Sequence, residues 1–359
     1  MIEKVVLIGA GSAVFTRGLV ADLARTDAEI ELVLVDIDER ALAAVEALTR
    51  KMIAAWSAKI RLSAHSDRRD ALTGANMIGL CHGVWHTGGF LAGHLGVDAA
   101  RLTYSAVGMN HLTWFTDIRI DGKDATGHLR EIAAERMNGD SDDVFSWQLL
   151  HLFGGFPAPL DRHVTEFFPQ FYAQGGYNGK TLGVDAFSFE ECIALGDRIY
   201  SEMEEAAFSD APLSEEYLSR QSGEHEQVTD IIDSIRTNAG RVYSANLPNT
   251  GQVANLPVDS IVESPCIAVS SGLHPITQPP LPSGMAAVLA TRMMWVELAV
   301  EAALEGSRDK FVQALVVDGA VSSIRMAEEL ADELLLAQAQ YLPQFAQYTC
   351  SETCHSETQ

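Results

Sequence analysis

Long apolar runs are missing from this chain. No stretch of its 359 residues reaches the ~18 consecutive apolar positions of a membrane span. The opening MIEKVVLIGAG is too short an apolar segment for a secretory leader, so a cytoplasmic protein without a membrane partner is expected. Basic residues are also scarce: 25 Lys and Arg face 49 Asp and Glu, a formal charge of -24. Nucleic acid needs basic patches to displace its counterions, so this field excludes it as an expected partner. The five cysteines, Cys81, Cys192, Cys266, Cys350 and Cys354, are odd in number and scattered, and a disulfide framework is not expected in a reducing compartment. Internal repeats and low-complexity tracts are absent apart from the polar end SETCHSETQ. What is present is an ordinary globular composition, 47% hydrophobic and 21% charged, in a chain longer than one core usually organises.

KVVLIG at residues 4 to 9 is a continuous apolar run bounded by glycine, as a strand buried on both faces of a parallel sheet reads. GAGSAVFTRGLVADLAR then takes helical spacing, ELVLVDID forms a second such strand ending in an acid, and ERALAAVEALTRKMIAAW is an alanine-rich helix. Gly9 and Gly11 suit the tight turn and close backbone approach that a pyrophosphate needs at a helix N-terminus, and Asp36 stands where an acid meets an adenosine ribose. Val14 replaces the usual third glycine. The alternative is a plain strand-to-helix turn with Asp36 and Asp38 capping the next helix. The strand, loop, helix, strand and acid in succession favour a dinucleotide, and the lack of an Arg next to Asp36 favours NAD over NADP.

GLCHGVWHTGGFLAGHLG, residues 79 to 96, and LTYSAVGMNHLTWF, residues 102 to 115, supply Cys81 and His111. A thiolate and an imidazole from two strand ends can grip one divalent ion and leave positions open for substrate oxygens. Equally, Cys81 reads as a small buried hydrophobe and His111 as a satisfied loop histidine. No second ligand pair occurs at zinc-finger spacing, and Cys350, Cys354 and His355 lie in the polar tail, a frayed end or a minor metal-binding tail.

The chain resembles glycoside hydrolase family 4, the NAD- and manganese-dependent glycosidases, through GAGSAVFT, GLCHGV, VGMNHLTWF, DRHVTEFFPQF and NLPNTGQVANLPVDSIVESPCIA, in the family's order. The resemblance implies NAD held by Gly9, Gly11, Ser12 and Asp36, and Mn²⁺ or another divalent metal on Cys81 and His111, with Asn110 and Arg162 toward the substrate. It implies hydride removal from C3 of the sugar, loss of the C2 proton, departure of the C1 substituent, addition of water and return of the hydride, a departure from the two-carboxylate glycosidase scheme. His82 follows the cysteine where relatives acting on phosphorylated sugars carry Asp or Asn, so the branch acting on free α-glycosides and uronides is expected. His82 would assist the leaving aglycone or orient the metal site. In DRHVTEFFPQF, Arg162 suits a uronate carboxylate, while Asp161, His163 and Glu166 are candidate bases or else solvated charges of a helix start.

One departure from the family is large. ALTGANMI, residues 71 to 78, passes at once into GLCHG, where family members carry the rest of the dinucleotide-binding sheet, a loop toward the substrate and an Asn-Pro motif. The expected fold is α/β: a shortened, Rossmann-type doubly wound parallel sheet over residues 1 to 110, a mixed α+β domain for substrate, metal and oligomerisation over 111 to 340, and a tail over 341 to 359. Residues 112 to 240 read as short apolar helices between polar loops, including FSWQLLHLFG and IDSIRTNAG. TQPPLPSGMAAVLATRMMWVELAVEAAL and MAEELADELLLAQAQYL read as helices apolar on wide faces, for a core or a subunit interface, with Met293, Met294 and Trp295 read as core. The resemblance implies a homodimer or homotetramer acting on α-glycosides or α-galacturonides and glucuronides. The shortened segment leaves two alternatives, a plain NAD-dependent sugar dehydrogenase and a catalytically impaired relative that binds NAD or sugar.

Overall fold

A computed structural model describes residues 3–75, 77–78, 83–137, 142–172, 175–221 and 227–349. Cys81 and His82 lie outside the described residues, as do Cys350, Cys354 and His355.

The chain forms two compact units, and neither is contiguous in sequence. The first combines residues 1–89, 183–245 and 266–274. Its centre is a parallel sheet of β1 (Glu3–Ile8), β2 (Ile30–Val35), β3 (Ile60–His65) and β4 (Met77–Ile78), in the order β3-β2-β1-β4. Register runs from Glu3↔Ile30 through Ile8↔Val35, with Val5 opposite Met77. Val5, Val6, Leu32, Val33, Leu34 and Val35 are buried, which accounts for the unbroken apolar runs. The crossovers are α1 (Phe15–Arg25), α2 (Glu39–Trp56) and α3 (Arg68–Leu72). Asp38 caps α2 by accepting from the N–H groups of Arg40 at 2.9 Å and Ala41 at 3.0 Å.

Later helices complete this core. In α9 (Phe189–Phe208), α10 (Glu215–Arg220) and α11 (Val228–Thr237), Met203, Ala207, Tyr217, Val228 and Ile232 join the cluster around Val5, Leu32 and Leu48. Residues 183–245 therefore belong with the N-terminal sheet, whereas the sequence suggested a division near residue 110. The reason is burial: α2 presents Leu48 and Met52 on a face that the first ninety residues alone leave uncovered.

The second unit holds residues 90–182, 246–265 and 275–359, with α4 (Gly83–His94) carrying the chain into it. β5 (Leu102–Met109) and β6 (Leu112–Ile120) form an antiparallel hairpin with Met109 opposite Leu112. Residues 112–120, read from sequence as part of a helical stretch, are thus strand. β7 (Lys123–Asp124) and β8 (Phe156–Ala158) both pair with the edge of β6 away from β5, β7 at Arg119–Ile120 and β8 at Thr113–Phe115. β9 (Gly176–Tyr177) and β10 (Lys180–Thr181) form a small ladder of their own. β12 (Ile261–Val269) lies beside β5, with Glu263 opposite Gly108, and β11 (Arg241–Pro248) and β13 (Gly272–Pro275) are the remaining described strands. Helices α5 (Thr126–Arg136), α6 (Val144–Phe153), α7 (Asp161–Val164), α8 (Pro169–Tyr172), α12 (Ser283–Glu305), α13 (Arg308–Asp318) and α14 (Ile324–Ala337) complete the described elements that matter for the site. Trp114, Phe115, Trp147 and Phe156 are fully buried in this unit. Met293 is buried as expected, but Met294 is 55% exposed, because it sits on the outer side of α12. Among the described residues no helix is long and apolar enough to cross a membrane.

Because Met203 is wholly buried in the sheet's core, Met203→Ala is expected to lower unfolding stability by about 2–5 kcal/mol in a denaturant titration. A change below about 0.5 kcal/mol would mean that α9 does not pack there.

Candidate functional site

In the first unit, the loop after β1 makes a cradle for a close ligand. Gly9 is left-handed at φ +77°, and the N–H groups of Gly9 and Ala10 both donate to the Val35 carbonyl at 2.9 Å. Gly11 has no room for a side chain: a Cβ there would stand 2.7 Å from Ala41 Cβ and 2.7 Å from Asp36 Oδ2. Its N–H donates to Asp36 Oδ2 at 2.7 Å, while Asp36 Oδ1 accepts from Asp38 N–H at 3.0 Å. Ser12 donates its N–H to the Gly9 carbonyl at 3.1 Å and offers Oγ to Phe15 N–H at 3.4 Å. Helix α1 has no side-chain cap at Val14; its first turn folds back on Ser12 instead, whose carbonyl accepts Thr16 N–H at 3.3 Å. Gly9, Asp36, Ile8, Ser66, Arg68 and Arg69 line a cavity of about 480 Å³. That is a size suited to a nucleoside portion. All four residues expected to hold a dinucleotide therefore cluster, and two arginines that sequence reading missed join them. Arg68 and Arg69 lie more than thirty residues beyond Asp36, and only the parallel pairing of β2 with β3 brings the two strand ends together.

In the second unit, the β5–β6 hairpin turn carries Asn110 and His111. The turn is tight because Gly108 faces Leu112: a Cβ on Gly108 would lie 2.1 Å from the Leu112 carbonyl oxygen. His111 is left-handed at φ +67°, an uncommon conformation for a residue with a side chain. β8 pairs with β6 so that Ala158 sits opposite Thr113, and the chain leaving β8 enters α7 beside the turn. His163 and Glu166 are delivered to His111 in this way. The His111 and His163 rings are 3.9 Å apart between centroids. Glu166 bridges them, with Oε1 3.2 Å from His163 Nδ1 and Oε2 4.0 Å from His111 Nδ1. One ligand atom from each of the three lies within 4.8 Å of the others. Burial raises the Glu166 carboxyl, but hydrogen bonds from His111 and His163 and their charge outweigh it and hold it at about 2.

The backbone of Glu166 is fixed from below. Buried Arg292 donates Nη2–H to its carbonyl at 2.6 Å, lies 5.4 Å over the Phe167 ring and pairs with Asp318 through Nη1. Arg162 is exposed on α7, and Asn110 is exposed at the turn.

Asp161 occupies a different environment from the one a base needs. Its carboxylate is fully buried and accepts from Phe145 N–H at 2.8 Å, Ser146 N–H at 2.6 Å, the Ser146 hydroxyl and the Tyr177 hydroxyl. Phe145 and Ser146 are in the first turn of α6, so Asp161 supplies the cap that Asp143, left-handed at φ +58°, does not. Asp143 instead accepts from Asp161 N–H at 3.2 Å, and burial together with the Asp161 charge raises its carboxyl. Burial and the hydrogen bond to Asp161 push the Tyr177 hydroxyl upward. The sequence expectation of Asp161 as a base is thus replaced by a structural role, since its oxygens face protein donors.

Comparison with known proteins agrees with this architecture. Residues 4–84 match the model of the family 4 glycosyl hydrolases, and residues 106–321 match the family 4 glycosyl hydrolase C-terminal domain. The chain belongs to glycosyl hydrolase family 4. An alpha-galactosidase of Rhizobium meliloti is 26% identical, with 96% of this chain and 90% of that protein covered. An alpha-galacturonidase of Bacillus subtilis is 28% identical over 73% of this chain and 62% of its own length. Among solved structures, the 6-phospho-beta-glucosidase of Thermotoga maritima with manganese, NAD⁺ and glucose-6-phosphate has a TM-score of 0.74 at 17% identity, covering 95% of this chain and 99% of that one. A 6-phospho-alpha-glucosidase from gut microorganisms, with NAD and Mn²⁺, has a TM-score of 0.72 at 15% identity, covering 96% and 99%. The alignment with the Rhizobium protein spans 454 positions, more than this chain contains, so that relative carries residues this chain lacks.

Asp161→Ala is expected to lower stability by about 1–3 kcal/mol, measured by chemical denaturation, because four donors lose their acceptor. An unchanged midpoint would contradict the capping role.

Proposed function

We propose that this chain hydrolyses α-glycosides or α-galacturonides and glucuronides with NAD and a divalent metal, Mn²⁺ foremost. The observation that carries the reading is the convergence of His111, His163 and Glu166 at the hairpin turn. Two imidazoles and an ionised carboxylate suit a first-row divalent ion, and three protein donors leave coordination positions for substrate oxygens. The span of 4.8 Å is close to what one ion bridges at about 2.1 Å per ligand. His111, His163 and Glu166 would hold the metal, which when bound supplies Lewis-acid polarisation of sugar oxygens. Gly9, Gly11, Ser12 and Asp36 would hold NAD, and the lack of space for a Cβ at Gly11 against Ala41 and Asp36 accounts for glycine at that turn.

The chain's own groups have distinct tasks in this reading. Asn110, on the turn beside His111, and exposed Arg162, on α7, would bind sugar hydroxyls or a uronate. His163 and Glu166, read from sequence as bases, are here ligands, and Arg292 keeps Glu166 in position through its carbonyl. Cys81 and His82 are assigned by resemblance as metal ligand and leaving-group assistant. The Bacillus alpha-galacturonidase and the Rhizobium alpha-galactosidase both support a non-phosphorylated substrate. An oligomer accords with the outward apolar row Val296, Val300 and Leu304 on α12, the last 81% exposed.

A second reading rests on the parallel sheet, which among the described residues has four strands where a complete doubly wound sheet has more. It is a relative that binds cofactor or sugar without turnover.

The readings separate on incubation with aryl α-glycosides and α-galacturonides, NAD⁺, Mn²⁺ and reductant. Aglycone release without net NADH is the expected result; NADH accumulation would mean a dehydrogenase, and cofactor binding with neither product would favour the impaired relative. For the metal, His163→Ala is expected to weaken Mn²⁺ binding by about tenfold or more in calorimetry. Unchanged affinity would remove His163 from the ligand set.

A further inference from the structure

We propose that Arg68 and Arg69 adapt the Asp36 cavity to a 2′-phosphorylated dinucleotide, so that NADP⁺ binds there alongside NAD⁺. The inference rests on the reading of this cavity as the adenosine end of the cofactor site.

A pocket restricted to NAD presents an acid whose oxygens are free to accept from the ribose hydroxyls and whose charge repels a phosphate. Asp36 departs from that arrangement. Each of its oxygens already accepts a backbone N–H, from Gly11 at 2.7 Å and from Asp38 at 3.0 Å. The carboxylate keeps lone pairs for a hydroxyl, but its charge is spread over two donors. Asp67, the other acid of the lining, is committed to capping α3: it accepts Arg69 N–H at 2.8 Å, and its other oxygen stands 3.6 Å from Arg69 Nη1.

Against these two carboxylates the same cavity carries two guanidinium groups, and both arginines are exposed. The lining is therefore balanced in charge, within a chain whose formal charge is -24. Guanidinium is the side chain whose planar fork pairs with phosphate oxygens, and each arginine has donors beyond the single contact that Arg69 makes to Asp67. The remaining wall is apolar: Ile37 is 80% exposed and Ile8 is 52% exposed, an arrangement that suits the flat face of an adenine. Without a phosphate to meet, two cations on this wall have no task in binding an uncharged ribose edge.

Calorimetric titration of the full chain with NAD⁺ and with NADP⁺ tests the proposal, comparing wild type with the double variant Arg68→Gln, Arg69→Gln. NADP⁺ is expected to bind the wild type, and the double variant to weaken it about tenfold or more while changing NAD⁺ less than about threefold. NADP⁺ affinity should also fall more steeply with added salt than that of NAD⁺, since a screened charge pair is involved only there. The proposal is overturned if NADP⁺ fails to bind while NAD⁺ binds, or if the double variant leaves NADP⁺ unchanged or weakens both dinucleotides equally. Failure of both dinucleotides to bind would overturn the cofactor reading of the cavity itself, and this inference with it.

Discussion

The pairing of Phe156–Ala158 on Thr113–Phe115 is the constraint on which the candidate metal site depends. It places the exit of β8 beside the β5–β6 turn, so that the next helix, α7, begins within reach of His111. Fully buried Trp114, Phe115 and Phe156 hold that pairing in the core, where a shift of one residue would turn each side chain to the wrong face. Asp161 then locks the start of α7 to the start of α6 through buried hydrogen bonds. His163 on α7 and Glu166 on the short turn Thr165–Phe167 that follows are therefore anchored at the start by Asp161 and at the end by Arg292.

Charge is distributed in the same economical way at both sites. At the hairpin turn a single carboxylate lies between two imidazoles and stays ionised far into acid. At the glycine loop the carboxylate of Asp36 is held by backbone N–H groups, and cations stand on the facing wall. In a strongly acidic chain, local donors rather than net charge determine which anion or cation a cavity accepts.

The shortened segment leaves its mark on the first unit. Among the described residues the sheet has the three strands and the crossovers that build the glycine loop and the Asp36 cavity, and β4 contributes Met77–Ile78. The residues of the glycine loop and of the Asp36 cavity all lie within the first sixty-nine residues, before β4.

Much of this was legible from the residues. Unbroken apolar strands, the glycine turn, the acid at Asp36 and the family resemblance all arise from patterns local in sequence, and local backbone and burial preferences act over a few residues. The long helix after the proline-rich loop was legible for the same reason. Three things were not. Asp161 and Glu166 look alike in DRHVTEFF, yet one is buried under helix N–H groups and the other faces two histidines, and only the direction of α7 separates them. The return of residues 183–245 to the first sheet depends on which apolar face needs covering, a matter of three-dimensional shape. Arg68 and Arg69 join Asp36 only because parallel strands align their carboxyl ends. Sequence alone therefore established which chemical groups are present and which strands and helices open the first unit, since those are written residue by residue, whereas β6 was misread as helix because its burial is set by neighbouring strands. Tertiary structure decided which groups share a cavity and which are sealed in, because strand register and packing bring together atoms that the chain keeps far apart.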